Sequence, residues 1–171
     1  FMAITRSLFR TLSQHVLSPA KIVTEMNNSI SDNNESNMFV TLIVGILDLE
    51  TGILKLCNAG HNPPILIYPD GQVSYLEFKT QIFVGVVEDF KYSDEEVVLE
   101  KESKLFLYTD GVTEAENINK ELYGEEKLLG MLSDNASSDV RTTVNVVVDS
   151  IASHVKEAEA SDDLTILLIQ Y

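Results

Sequence analysis

Two aspartates carry the chemistry this chain can do. Asp110 stands in Leu107-Tyr108-Thr109-Asp110-Gly111 and Asp162 in Ser161-Asp162-Asp163-Leu164-Thr165. Each lies at the end of a strand-like apolar run, where the backbone can hold a carboxylate rigidly at a sheet edge and aim it at a common point. Hard cations such as Mg²⁺ and Mn²⁺ take oxygen ligands and keep several waters, so one or two fixed carboxylates per ion suffice. The pair therefore reads as a metal site. The first residue is Phe1 and the opening residues already have helical spacing, so further sequence is expected upstream, including the rest of the site.

The elements that must position these carboxylates follow from periodicity. Ile4, Leu8, Phe9, Leu12 and Val16 recur at three- and four-residue spacing and predict an amphipathic helix from the first residues, with His15 inside it. Ser18-Pro19 restarts the chain as an N-cap with proline at the first helical position, opening a second helix through about Ser31. The polar run Ser31 to Asn37 reads as a loop. As a calcium loop it fails, because the required glycine and terminal glutamate are absent.

Beyond it the period changes to two. Phe39 to Asp48, the turn Leu49-Glu50-Thr51-Gly52 and Ile53 to Asn58 predict one hairpin; Pro64 to Tyr68, Pro69-Asp70-Gly71 and Gln72 to Phe78 predict another. Strands are expected at Gln81 to Val86, Tyr92 to Leu99 and Lys104 to Thr109. Helices are expected at Gly124 to Leu132 and at Ser138 to Lys156. The latter is capped by Ser137 or Ser138 and is apolar at Val140, Val144, Val147, Val148, Ile151 and Val155. A last strand spans Leu164 to Tyr171. Helices, then many antiparallel strands, then helices imply an α+β layering in one domain, residues 1–171, without repeats or linkers.

Composition narrows the function classes. With 171 residues, 44% of them apolar and 23% charged, the chain can bury a sizeable core. Twelve Lys and Arg against 27 Asp and Glu give a formal net charge of −15, which repels phosphate backbones and argues against nucleic acid or an anionic membrane as partner. Cys57 is the only cysteine, so no internal disulfide can form. Its setting in Leu56-Cys57-Asn58 is that of a small buried hydrophobe, and a reducing compartment fits. The longest uncharged apolar stretch, Met38 to Leu47, is about half a membrane span. The expected location is the cytoplasm, including the cytosolic part of a larger, membrane-anchored protein. Asn27-Asn28-Ser29, Asn34-Glu35-Ser36 and Asn135-Ala136-Ser137 match the glycosylation pattern, which carries no weight without secretion.

Three motifs stand in order: Asn58-Ala59-Gly60-His61-Asn62-Pro63-Pro64, Tyr108-Thr109-Asp110-Gly111-Val112-Thr113-Glu114-Ala115, and Ser161-Asp162-Asp163-Leu164-Thr165. In residue type, order and spacing they resemble the metal-dependent PPM (type 2C-like) serine/threonine protein phosphatases, in particular the bacterial SpoIIE and RsbU branch. The resemblance covers essentially the whole chain. It implies a four-layer αββα sandwich of mostly antiparallel sheets with a binuclear Mn²⁺ or Mg²⁺ centre at one end. By that resemblance Asp110 and Asp162 ligate one metal, and Asp163 is a supporting or structural residue. Gly111 accompanies Asp110, and Thr165 bonds locally. The implied mechanism is direct hydrolysis, in which a metal-bridging water attacks phosphoserine in line while the metals clamp the phosphoryl oxygens. No protein nucleophile is then needed. His61 has two readings, a substrate-side group or a residue that stabilises its turn; Asn58 and Gly60 are read as building that turn.

The family also places aspartates earlier, including the one that bridges both metals, in a Gly-Asp strand motif and an Asp-x-Ser-Gly-x-Gly motif that runs into a helix resembling Phe1 to Leu8. This chain begins after them, so the expectation is an N-terminally truncated domain with negligible phosphatase activity alone. Open sheet edges make homodimerisation an expected response. The resemblance implies a phosphorylated anti-anti-sigma-type protein as substrate and an upstream sensory or regulatory domain acting through the two leading helices, whose plainer reading is as cover for a sheet. Two other readings are weighed. A haloacid-dehalogenase-type phosphatase would need a nucleophilic carboxylate where Tyr108 stands. A catalytically dead, phosphatase-like protein-binding module would need none of the chemistry.

Overall fold

In a computed structural model of the chain, residues 1–32, 34, 37–158 and 162–171 are described. Part of the expected loop (Asn33, Glu35, Ser36), and with it the Asn34-Glu35-Ser36 pattern, lies outside these residues. So does Ser161 of the last motif. The chain divides into two compact units, each with a four-stranded sheet and two helices.

The first unit comprises Phe1–His61 and Glu77–Leu99. Its helices are α1 (Met2–Leu12) and α2 (Pro19–Ser31), and its strands β1 (Leu42–Leu47), β2 (Ile53–Ala59), β5 (Thr80–Gln81) and β6 (Glu95–Val98). Helix α1 stops at Leu12, so His15 falls in the following turn, where its N–H donates to the Leu12 carbonyl at 3.1 Å. Phe1, Leu8, Leu12 and Val16 pack on the core, whereas Ile4 and Phe9 face solvent. Helix α2 forms where expected, with Ser18 Oγ accepting from the Lys21 N–H at 3.2 Å. A remote carboxylate reinforces this start: Asp94 accepts from the Ala20 N–H and from Ser18 Oγ. Ile22, Val23, Met26 and Ile30 of α2 then fill a core shared with Val44, Cys57 and Ala59.

The hairpin of β1 and β2 is antiparallel, with Leu47 opposite Leu54. Its turn is closed by Asp48, whose Oδ1 accepts from the Glu50 and Thr51 N–H groups, and by Gly52 at φ +75°. The strand expected over Gln81 to Val86 is shorter: β5 ends at Gln81, and only a bridge between Val84 and Val40 continues it. Side chains replace the ladder there. Buried Asn27 accepts from the Gly85 N–H at 2.9 Å and donates to the Val87 carbonyl at 2.9 Å.

The second unit comprises Asn62–Leu76 and Glu100–Tyr171. Strands β3 (Ile65–Ile67), β4 (Val73–Tyr75), β7 (Lys104–Tyr108) and β8 (Ile166–Gln170) form an antiparallel sheet in the order β4-β3-β7-β8. Helices α3 (Glu125–Asp134) and α4 (Val140–Val155) bury Leu128, Leu132, Val147 and Ile151 with Ile65, Ile67, Phe106 and Tyr108. The cap of α4 is Asp139, not Ser137 or Ser138. Its carboxylate accepts from the Arg141 and Thr142 N–H groups, both at 3.0 Å, and from Thr142 Oγ1. A carboxylate outcompetes a serine hydroxyl there because it also complements the helix dipole. Val148, expected on the core face of α4, is 39% exposed.

Candidate functional site

Strand register brings the two aspartate motifs together. In the β7–β8 pair Lys104 lies opposite Gln170 and Tyr108 opposite Ile166, so the end of β7 meets the start of β8. The pairing runs one step further: the Thr109 N–H donates to the Thr165 carbonyl at 3.1 Å, and the Thr165 N–H donates to Thr109 Oγ1 at 3.2 Å. Asp110, just after β7, and Asp162-Asp163, just before β8, therefore share one end of one sheet.

Gly111 locks them. A Cβ on this residue would lie 2.4 Å from the Asp163 carbonyl oxygen and 3.7 Å from the Asp162 Cβ. Only a residue without a side chain lets the two loops pack this closely. Thr109 Oγ1 approaches the same carbonyl at 3.4 Å. The chain after Asp110 winds into a 3₁₀ turn, Asp110–Val112, whose Val112 is fully buried and anchors the loop to the core. Further on, Tyr123 and Gly124 donate their N–H groups to the Ala115 and Thr113 carbonyls at 2.8 and 2.9 Å, tying the segment to the start of α3.

Both carboxylates are held the same way. Asp110 Oδ1 accepts from the Gly111 N–H at 3.1 Å, and Asp162 Oδ1 accepts from the Asp163 N–H at 2.7 Å. Each side chain is thereby oriented by the following amide, and each residue is exposed to solvent. Oriented, solvent-exposed carboxylates are the kind of oxygen donor that hard divalent cations take while keeping part of their water shell. Among the described residues no group of three or more His, Cys, Asp or Glu converges as a metal site. Beneath the loop, burial and then neighbouring Tyr108 push the Tyr75 phenol well above its ordinary range. Burial also raises Tyr108. Both phenols stay protonated at neutral pH and offer no anionic ligand.

His61 belongs to the first unit, at the end of β2. Asn58 Oδ1 accepts from the His61 N–H and Asn58 Nδ2 donates to the His61 carbonyl, both at 2.8 Å, with Gly60 at φ +75° between them. Asn58 and Gly60 thus build the turn. His61 Nδ1 lies 3.2 Å from Thr41 Oγ1. Cys57, beside this turn, is 1% exposed, and burial followed by the charge of Asp94 pushes its thiol up to about 12. It is no nucleophile.

The sequence reading missed the surroundings of Asp162. Val148, Ile151, Ala152 and Val155 of α4 join Ala115, Leu164, Gly111 and Asp162 around a cleft of about 300 Å³. The available signal was an excess of apolar residues on α4, wider than one core-facing stripe requires.

The fold has counterparts among known proteins. The chain is 22% identical over 170 residues to phosphoserine phosphatase RsbU of Bacillus subtilis, covering 99% of this chain and 50% of that protein. It spans half or less of the length of the curated relatives it matches. Among solved structures, the SiaA PP2C domain of Pseudomonas aeruginosa superposes with a TM-score of 0.85 at 20% identity, over 99% of this chain and 68% of that one. The catalytic domain of the serine/threonine phosphatase PstP, in complex with two manganese ions, superposes with a TM-score of 0.68 at 13% identity, over 97% and 78%. The mixed α+β fold, two mainly antiparallel sheets with four helices, is thus that of the PP2C-type phosphatases. Residues 1–171 match the family described as Stage II sporulation protein E, and the chain belongs to this SpoIIE family.

Proposed function

We propose that residues 1–171 form the C-terminal portion of one phosphatase domain that hydrolyses phosphoserine on a regulatory protein of the anti-anti-sigma type, using a centre of two Mn²⁺ or Mg²⁺ ions. The observation that carries this reading is the packing of Gly111 on Asp163, which joins the loops bearing the exposed Asp110 and Asp162 at one sheet end. The phosphatase name of RsbU and the two manganese ions of PstP support it. Bound divalent cations would supply positive charge to the phosphoryl oxygens and acidify a water molecule.

The chain's own part is to hold and orient. Asp110 and Asp162 are the proposed ligands of one ion, each steadied by the amide that follows it, while Gly111 and Asp163 keep the two loops in contact. Two carboxylates serve one ion, so a pair of ions requires further oxygen ligands, which we assign to upstream sequence. The isolated chain is accordingly proposed to be inactive. An upstream regulatory domain, a homodimeric state and a cytoplasmic location complete the proposal. The lack of a third converging ligand among the described residues favours a second reading, a phosphatase-like protein-binding module without catalysis.

The test is Mn²⁺-dependent hydrolysis of a phosphoserine protein by the full-length natural protein, compared with Asp110→Ala and Asp162→Ala. Each substitution should lower the rate by about 100-fold or more, since losing even an outer partner of a metal ligand costs 10–100-fold. Undiminished activity in both variants would sink the assignment, and no hydrolysis by the wild type would leave the binding-module reading.

A further inference from the structure

Helix α4 carries more apolar surface than its core uses. Val147 and Ile151 are buried against the sheet of the second unit, but Val148 is 39% exposed and Ala152 is exposed beside it. With Ala115 and Leu164 these side chains wall the cleft of about 300 Å³ that has Gly111 and Asp162 at one end. Val155 is a shared wall. On its other side lies a second cleft, of about 260 Å³, lined by Asn117, Ile118, Asn119, Lys127, Ser153, His154 and Lys156.

The second cleft is basic in a chain whose formal net charge is −15. Among the described residues, neither Lys127 nor Lys156 has a carboxylate within 4.0 Å. Two nearby acids are engaged elsewhere: Glu116 pairs with Lys120 at 2.7 Å, and Glu121 accepts from Asn117 Nδ2 at 2.7 Å. Lys127 is fixed, with Nζ 3.3 Å from His154 Nδ1 and 4.7 Å from the centre of the Tyr123 ring. His154 Nε2 lies 2.9 Å from the Glu121 carbonyl, which can only accept, so Nε2 carries the proton and Nδ1 turns its lone pair to Lys127. Two lysines, Lys127 and Lys156, line this cleft.

We infer that these clefts form a docking track for the phosphoprotein substrate along α4, a proposal that rests on the phosphatase reading. With phosphoserine at Asp110 and Asp162, an aliphatic side chain of the substrate enters the first cleft and a carboxylate further along the same segment enters the second. Two features select this occupant. The apolar cleft is continuous with Asp162, so a chain bound there is already beside the site. The two lysines, without a carboxylate partner among the described residues, favour an acidic segment, which the rest of so acidic a surface repels.

The probes are fluorescein-labelled phosphoserine peptides carrying one leucine and two glutamates either before or after the phosphoserine, with matched serine-and-lysine versions. Turnover by the full-length protein is measured against p-nitrophenyl phosphate, which carries no peptide segment to lie along α4. Val148→Asp, and Lys127→Glu combined with Lys156→Glu, should each lower kcat/KM on the better leucine–glutamate peptide by about tenfold and leave p-nitrophenyl phosphate turnover unchanged. Salt should weaken the wild type's preference and not that of the lysine variant. Wild-type turnover of the peptide by both variants, or equal use of the serine–lysine peptide, would overturn the track. Failure to hydrolyse p-nitrophenyl phosphate would instead sink the phosphatase reading. Docking is then decided by anisotropy of the unphosphorylated peptides in EDTA, where the same variants must lose binding. A wild type that binds none of the peptides, or that pairs with itself through these clefts so that Val148→Asp dissociates a dimer, refutes the proposal.

Discussion

Replacing Gly111 by alanine tests whether the two aspartate loops are locked together or merely adjacent. No positive φ is involved, so alanine meets no backbone penalty and the effect is purely steric. Its Cβ would sit 2.4 Å from the Asp163 carbonyl oxygen, and to reach even 3.0 Å that carbonyl must retreat by 0.6 Å. The oxygen is backbone and cannot swing aside as a side chain could. It is also approached by Thr109 Oγ1, a contact that the retreat lengthens beyond its present 3.4 Å. Overpacking of this kind costs about 1–3 kcal/mol. For a chain of this size that is a fall in Tm of about 2–12 °C. Because the shift occurs one residue from Asp162, the proposed ligand, Mn²⁺ affinity should on that proposal fall by about 10–100-fold, the usual effect of disturbing a ligand's support. Calorimetric unfolding and Mn²⁺ titration of the full-length protein report the two effects separately. Gly130→Ala is the control: it lies within α3 with no atom within 4 Å of the added methyl group, so it should stabilise by about 0.5–1 kcal/mol. A Gly111→Ala protein with wild-type Tm and wild-type Mn²⁺ affinity would refute the lock.

Three further outcomes follow from the hydrogen bonds and burial of the fold. Asp94→Ala removes the carboxylate that accepts from Ala20 and Ser18 at the start of α2, and should cost about 1–2 kcal/mol in chemical denaturation; an unchanged midpoint would show that Ser18 alone suffices as a cap. Asp48 is held below the usual carboxylate range first by the Glu50 amide and then by that of Thr51, and Asp139 first by the Thr142 hydroxyl and then by its amide. A depressed folded value stabilises above the unfolded value of about 3.9 and is lost as pH falls through the lower folded one. The Asp48→Asn, Asp139→Asn double variant should therefore lose less Tm than the wild type below pH about 4, and parallel Tm–pH curves would contradict this. Cys57, with its thiol pushed up to about 12, should resist a disulfide reagent at pH 8 until urea unfolds the protein; modification of the native state at the unfolded rate would show that the first unit opens.

The parts of the fold that were legible are those whose signals are local. Ser18-Pro19 starts α2 whatever surrounds it, and Gly52 with Asp48 closes the first hairpin from within four residues. The strand expected over Gln81 to Val86 was not legible, because its connections are made by side chains from elsewhere in sequence. Gln81 accepts from the Ser93 N–H at 2.8 Å and donates to the Ser93 carbonyl at 3.0 Å, as Asn27 does for Gly85 and Val87. A polar residue in an apolar run reads as facing solvent, yet Asn27 and Gln81 are buried. Their amides take the place of a neighbouring strand, a substitution that periodicity cannot express. The cap of α4 was misplaced for a related reason, since Ser137, Ser138 and Asp139 are all capping residues and only the geometry of the loop chooses among them.

Asp110 and Asp162 could be picked out by residue type alone, but their relation could not, since it depends on the register between β7 and β8. A slip of one residue would turn every side chain of one strand to the other face, and the apolar pattern of short strands constrains this weakly at their ends. The glycine after Asp110 resolves the ambiguity. Continuing the observed pairs of Tyr108 with Ile166 and Thr109 with Thr165 brings Gly111 opposite Asp163, the contact with no room for a Cβ. Shifting the register by one would put Asp110 or Val112 there and drive a side chain into the Asp163 carbonyl. Gly111 is therefore more than a companion of the proposed ligand Asp110. It marks the one alignment in which two carboxylates from distant parts of the chain share a sheet end, and the proposed metal site depends on that steric requirement as much as on the charges.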